Sequence, residues 1–258
     1  MSGTVLRILC LAAAVFYSAA FAASFGKKAI FAKLSAVFWI GGIAFNGLIV
    51  ANNRVLNGYM PFVSMYQVLT FLGVTFAFVY VYIRYMHGGA FMRRYFIVSQ
   101  AVIMVGVSCM DQNARWHFPP ALQSCYFIPH VLSYMISYSL LAVAAILTVV
   151  SFWKKKEVRT AYQAGVYSLV CTAFPFMVLG MLLGALWANV CWGNYWSWDL
   201  KEAWSLVTVL SLAVYLHFRR QEKLRRYAEC FVLFAFVFAV ITLFFVGMFG
   251  GDSVHAYG

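Results

Sequence analysis

Apolar residues run through this chain in long blocks broken by short polar interruptions, too uniform for the alternating faces of a soluble fold. A bilayer-spanning helix needs about 20 mostly apolar residues. Eight stretches meet or approach that length: 5–25, 29–50, 63–83, 95–110, 130–153, 164–187, 202–218 and 228–250. The fourth and seventh are short. Two-residue alternation is negligible, so no strand is expected. The pattern predicts an all-α, polytopic integral membrane bundle of about eight transmembrane helices, with no room for a soluble domain. The first stretch has the small-residue run of a signal peptide, Ala19-Ala20-Phe21-Ala22-Ala23. Because Lys27 and Lys28 follow it, it is expected to stay as an anchor.

Composition agrees. Of 258 residues 64% are hydrophobic and 10% charged, where a soluble domain runs nearer half and a quarter. Disorder is excluded by that apolar content. Six cysteines without a CxxC or CxxCH exclude a disulfide scaffold, a thiol oxidoreductase and a c-type cytochrome. Cys10, Cys171 and Cys230 fall in apolar stretches and are expected to be small packing residues. Cys109, Cys125 and Cys191 lie near the outer face, where a disulfide is permitted but not implied.

The net charge of +12 changes the picture only through its placement. Lys27, Lys28 and Lys33 mark one break between spans, and Arg84, Arg93 and Arg94 another. Lys154, Lys155, Lys156 and Arg159 mark a third; Arg219, Arg220, Lys223, Arg225 and Arg226 mark a fourth. These four hold 15 of the 19 Lys and Arg and alternate along the chain. The positive-inside rule puts them in the cytoplasm, and both termini, with 51–62, 111–129 and 188–201, outside. The basic excess reads as topology and not as a nucleic-acid footprint. Some of these cations could also receive an anionic ligand at the inner face.

One outer segment is unusual. Trp187, Trp192, Trp196 and Trp198 lie with Gly193 and Tyr195 within twelve residues. An interfacial aromatic belt explains one or two Trp per helix end. Four on one short loop also suit a platform for a large flat ligand. Asp199-Leu200-Lys201-Glu202 has the form of a helix capping box, and Lys201 could hold a ligand carboxylate.

Of five histidines, His87 and His117 lie among polar neighbours and are read as solvated. His130 opens the fifth span and His255 follows the eighth, both on the side of the tryptophans. His217 sits near the inner end of the seventh, with no evident partner. A histidine at a helix end is commonly a hydrogen-bonded interfacial residue. Two that bracket an aromatic platform also suit axial ligation of a haem iron. Zinc is disfavoured, since no acidic or Cys residues cluster around them.

The run Trp192-Gly193-Asn194-Tyr195-Trp196-Ser197-Trp198-Asp199, followed by Lys201-Glu202-Ala203-Trp204, closely resembles the WWD signature of haem-handling proteins. That superfamily includes the CcmC, CcmF and CcsA (ResC-like) proteins of cytochrome c maturation. The form Tyr-Trp-Ser-Trp-Asp-x-Lys-Glu is similar to its CcsA branch. Tyr66, Pro119-Pro120 ahead of His130, Tyr215-Leu216-His217 with Arg219, and His255-Ala256-Tyr257-Gly258 agree with it. Leu200 departs from the pattern, which usually has Pro after the Asp. A first-turn Pro is replaceable, so function is expected to survive.

Residues 1–59 are expected to form two N-terminal anchor helices; the resemblance covers 60–258 and implies a haem-handling core there, with the WWD loop at about 187–204. It implies export of haem b with a CcsB (ResB-like) membrane subunit, and presentation for thioether attachment to the CxxCH of apocytochrome c. Cytochrome c synthase (haem lyase) activity is expected only in that complex, and thiol-reducing proteins act indirectly. Carried over residue by residue, His130 and His255 become the outer axial pair. His217 becomes the inner ligand, its second imidazole coming from the partner. Trp192, Gly193, Tyr195, Trp196, Trp198 and Asp199 become the porphyrin platform. The implied location is a bacterial cytoplasmic membrane, or a thylakoid membrane, with the WWD loop and outer histidines extracytoplasmic.

Two other readings compete. A b-type electron-transfer subunit would place paired histidines on facing helices inside the membrane. A small-molecule transporter with an aromatic gate would break helices at mid-membrane, and Pro175, Gly180 and Gly184 offer it faint support.

Overall fold

The computed structural model describes residues 3–112 and 119–245. Among these the chain is helical and holds no strand. Eight α-helices follow in order: α1 (Gly3–Ala23), α2 (Ala29–Asn57), α3 (Met65–His87), α4 (Arg93–Ser108), α5 (Phe127–Ser151), α6 (Lys156–Trp192), α7 (Leu200–Arg220) and α8 (Arg225–Val240). Short 3-10 turns precede α4 and α5, and α8 continues into a π-turn over Ile241–Phe245.

Seven of these, all but α7, are long and apolar enough to cross a membrane, α4 counted with its preceding turn and α8 with the first residues of its π-turn. The chain is a multi-pass membrane protein. The 21-residue α7 has the length, but Lys201, Glu202, His217, Arg219 and Arg220 shorten its apolar stretch. Several limits differ from expectation. The largest difference is α6, whose 37 residues span about 55 Å, well beyond a hydrocarbon core of about 30 Å. It runs through Pro175 without a break.

The packing divides the chain into two units, 1–118 and 119–258. In the first, α1 packs on α2 and α4, and α3 on α2 and α4. Lipid gives no hydrophobic force between helices, so small residues and buried hydrogen bonds hold them. Gln100 of α4 is the clearest such tie. Its Oε1 accepts from Trp39 Nε1 at 2.7 Å, and its Nε2 donates to Gly73 O at 2.8 Å. Gly42 admits the Tyr17 ring, which a Cβ there would meet at 2.7 Å. A capping box of Ser64 and Gln67 starts α3, and Gly58, at φ 74°, ends α2.

In the second unit α5 packs closely on α6, and α7 on α8, with further contacts of α5 to α8 and α6 to α7. Ser137 Oγ donates to Ala173 O at 3.0 Å across α5 and α6. The Tyr134 hydroxyl of α5 bonds Ser205 of α7. The starts of α5 and α7 and the end of α6 therefore share one end of this unit. The basic turns 152–155 and 221–224 share the other.

Candidate functional site

The expected tryptophan loop is partly helix. Trp187 and Trp192 belong to the last turns of α6, which stops at Gly193 in the left-handed region (φ 77°), its N–H donating to Asn189 O at 2.9 Å. Only 193–199 connects α6 to α7. Helical spacing puts Trp187 and Cys191 on one face. Trp187 Nε1 and Cys191 Sγ both donate to Ala121 O, at 2.7 and 3.1 Å, tying α6 to the turn before α5.

His130 lies against this face. Its Nδ1 is 2.8 Å from Gly180 O, and a carbonyl can only accept, so Nδ1 carries the proton. That tautomer makes Nε2 the lone-pair nitrogen, the arrangement typical of a metal-ligating imidazole held by a backbone carbonyl. The ring meets Tyr134 edge-on at 4.9 Å and lies tilted on Trp187 at 5.6 Å. Trp187 in turn touches Phe127 at 5.2 Å and Trp192 at 5.0 Å. His130 and the two helical tryptophans form one continuous aromatic wall.

In the connection, Trp196 and Trp198 meet edge-on at 5.8 Å. Trp198 is 71% exposed and Tyr195 58%, so both rings are open to a ligand. Trp198 adopts φ 59°, a region disfavoured for any residue with a Cβ. The buried Trp196 Nε1 has no partner among the described residues. Glu202 straps the segment: one carboxylate oxygen accepts from Ser197 N at 2.8 Å, Ser197 Oγ at 3.3 Å and Asp199 N at 3.2 Å. Asp199 accepts from Lys201 N at 2.8 Å, and the expected capping box is present. Burial pushes the Lys201 ammonium, ahead of the apolar stretch of α7, below its ordinary range; the Asp199 carboxylate opposes that shift.

His217 is exposed near the far end of α7, and its Nε2 lies 2.8 Å from Gln221 Nε2. The expectation that it lacks a partner is corrected: Gln221, one turn on, supplies one. His255 and His117 lie outside the described residues, and His87 is exposed as expected. Cys171 and Cys230 are exposed on their helices, which corrects their reading as packed core; Cys10 is buried, and all six thiols are free. Among the described residues no three His, Cys, Asp or Glu gather to hold a metal ion.

Sequence reasoning missed three participants. Gly184 makes room for His130, and Gly180 both accepts from it and seats Tyr134. Glu229 forms a buried ion pair with Arg219 at 3.6 Å. A lone acid inside an apolar span was the available signal for Glu229; the sequence marks Gly180 and Gly184 only as a possible helix break, with nothing local to tie them to His130.

An oriented imidazole, indole walls and two exposed aromatic rings suit a large flat ligand that carries a ligatable metal. They define a polytopic helical membrane protein with a tryptophan-rich platform at one end of its second unit. Residues 62–251 match the cytochrome c assembly protein family, and the chain belongs to it. Cytochrome c biogenesis protein CcsA of Guillardia theta is 28% identical over 271 residues, covering 89% of each chain. The CcsA of Chlamydomonas reinhardtii is 30% identical over 223 residues, 78% of this chain and 62% of that one. The CcsA of Trieres chinensis is 27% identical over 275 residues, 88% of each. Membership places the chain in cytochrome c maturation, which involves haem and apocytochrome c.

Proposed function

We propose that this chain, with a CcsB (ResB-like) membrane partner, carries haem b across a bacterial cytoplasmic or thylakoid membrane and presents it for attachment to apocytochrome c. Haem is the cargo. The chemistry it brings is a pair of vinyl groups, across which the CxxCH thiols add, each forming a carbon–sulfur bond while its proton goes to the other vinyl carbon.

The residues of the chain bind and orient. His130 offers Nε2 to the iron while Gly180 O fixes its tautomer, and His255 supplies the second outer imidazole. Trp192, Gly193, Tyr195, Trp196, Trp198 and Asp199 form the shelf for the ring. His217 receives the cargo at the other end of the unit, with an imidazole from the partner. Both termini and the shelf lie on the extracytoplasmic side, and residues 60–258 form the haem-handling core. Aromatic walls exclude water and keep the vinyl edge positioned for the incoming thiols.

The observation that carries this reading is the His130 ring, oriented by Gly180 O and laid on the Trp187–Trp192 wall. Its test is the absorption spectrum of the full chain purified with its partner. A haem Soret band is expected. His130→Ala or His255→Ala should diminish it and abolish maturation, with added imidazole restoring part of both. His217→Ala should leave the outer ligands intact but underloaded. A complex without haem, or maturation unchanged by these substitutions, overturns the reading.

A further inference from the structure

The first unit has a basic end that the cytochrome c reading does not use. Where α1 leads into α2 and α3 into α4, a pocket of about 380 Å³ is lined by Ser24, Tyr80, Arg84, Phe91, Arg93 and Arg94. Three arginines line one cavity, and no carboxylate joins them. The single acidic residue of 1–118 is Asp111, which follows the opposite end of α4, about 25 Å along that helix.

Two of the arginines are held in place. Arg84 Nη1 donates to Gly88 O at 2.7 Å, and the Arg94 guanidinium lies over the Phe25 ring at 5.5 Å. Preset guanidinium forks are the groups that bind phosphate oxygens in pairs, and Ser24 and Tyr80 add hydroxyls. Three like charges around one cavity repel each other unless an anion enters.

The setting selects the anion. The pocket opens where apolar spans end; Phe91 lines it, and the exposed Phe25 ring lies under the Arg94 guanidinium. Such aromatic neighbours suit the glycerol and upper acyl carbons of a lipid. We propose that this pocket is a phosphate-headgroup site for an anionic phospholipid, built from Arg84, Arg93 and Arg94.

The test uses the full chain in nanodiscs of phosphatidylcholine alone or mixed with phosphatidylglycerol. A third arm adds inorganic phosphate to the phosphatidylcholine discs at matched ionic strength. Native mass spectrometry counts retained lipid, and thermal unfolding reports stabilisation. A phosphatidylglycerol adduct with a raised Tm is expected. Arg93→Gln with Arg94→Gln should cut retention on the order of tenfold. Arg93→Lys with Arg94→Lys keeps the charge and tests the fork if the glutamine variant fails to fold; it should also retain less. Lys27→Gln with Lys28→Gln, outside the pocket, should retain nearly all. Equal retention by both arginine variants overturns the site, and full loss in the lysine control reduces it to diffuse surface charge. Stabilisation by inorganic phosphate without any by phosphatidylglycerol assigns the anion to solution and overturns the lipid.

Discussion

Gly184 leaves open the space that the His130 ring fills: a Cβ at 184 would lie 2.6 Å from Cε1 and 2.7 Å from Nδ1. In an exposed helix Gly→Ala gains about 1 kcal/mol. Here the sign should reverse. Gly184→Ala is expected to push the imidazole off Gly180 O and destabilise by about 1–3 kcal/mol through overpacking. Haem retained per mole of protein should fall with it. Gly47, with nothing within 4 Å of a built Cβ, is the control, and Gly47→Ala should be neutral or stabilising. Unfolding midpoints and Soret absorbance of the two variants check the contrast.

Glu202 gathers three donors from the connection onto one oxygen, so it acts on the shelf without touching the wall. Glu202→Ala removes half of the capping box as well and should cost about 0.5–2 kcal/mol. The expected signature is local: faster amide hydrogen exchange at Ser197 and Asp199, with protection in α5 unchanged. Global loss of protection would contradict that assignment.

Trp198 holds an open ring on a disfavoured backbone. Trp198→Gly relieves a left-handed penalty of about 1–2 kcal/mol, and little packing is lost from so exposed a side chain. Stability is therefore expected to hold or rise while haem retention falls. Trp198→Phe keeps the aromatic face and the strain, and should retain part of the binding. A variant that loses stability and haem in parallel would assign Trp198 a structural role.

Much of this was legible in the sequence because it is local. Long apolar blocks announce helices, and Asp199 with Glu202 announces the start of α7 three residues apart. Trp187 and Trp192 read as loop because a dense run of aromatics at a polar break looks like an interfacial belt; the i, i+4 spacing of Trp187 and Cys191, which share Ala121 O, is the helical signal. Gln221 stands four residues from His217 and was equally readable. The seating of His130 on Gly180 and Gly184 was not, since those partners lie 50 and more residues away and a glycine's vacancy has meaning only beside what fills it.

The Arg219–Glu229 pair separates stability from cargo handling in the second unit. Its charges are 3.6 Å apart, and only 9% and 5% of the two side chains is exposed. An exposed pair is worth about 0–1 kcal/mol, but removing one partner of a buried pair strands the other and costs about 3–5 kcal/mol. Glu229→Gln should therefore destabilise strongly although its shape is nearly unchanged. Arg219→Leu combined with Glu229→Leu removes both charges and should recover most of the loss, giving a large coupling in a double-mutant cycle of detergent unfolding. Arg219 lies two residues from His217, yet His217 bonds Gln221 and not this pair. Haem per folded molecule should then stay near wild type in the double-leucine variant. A drop there without a drop in stability would mean that the guanidinium itself meets the cargo beside His217.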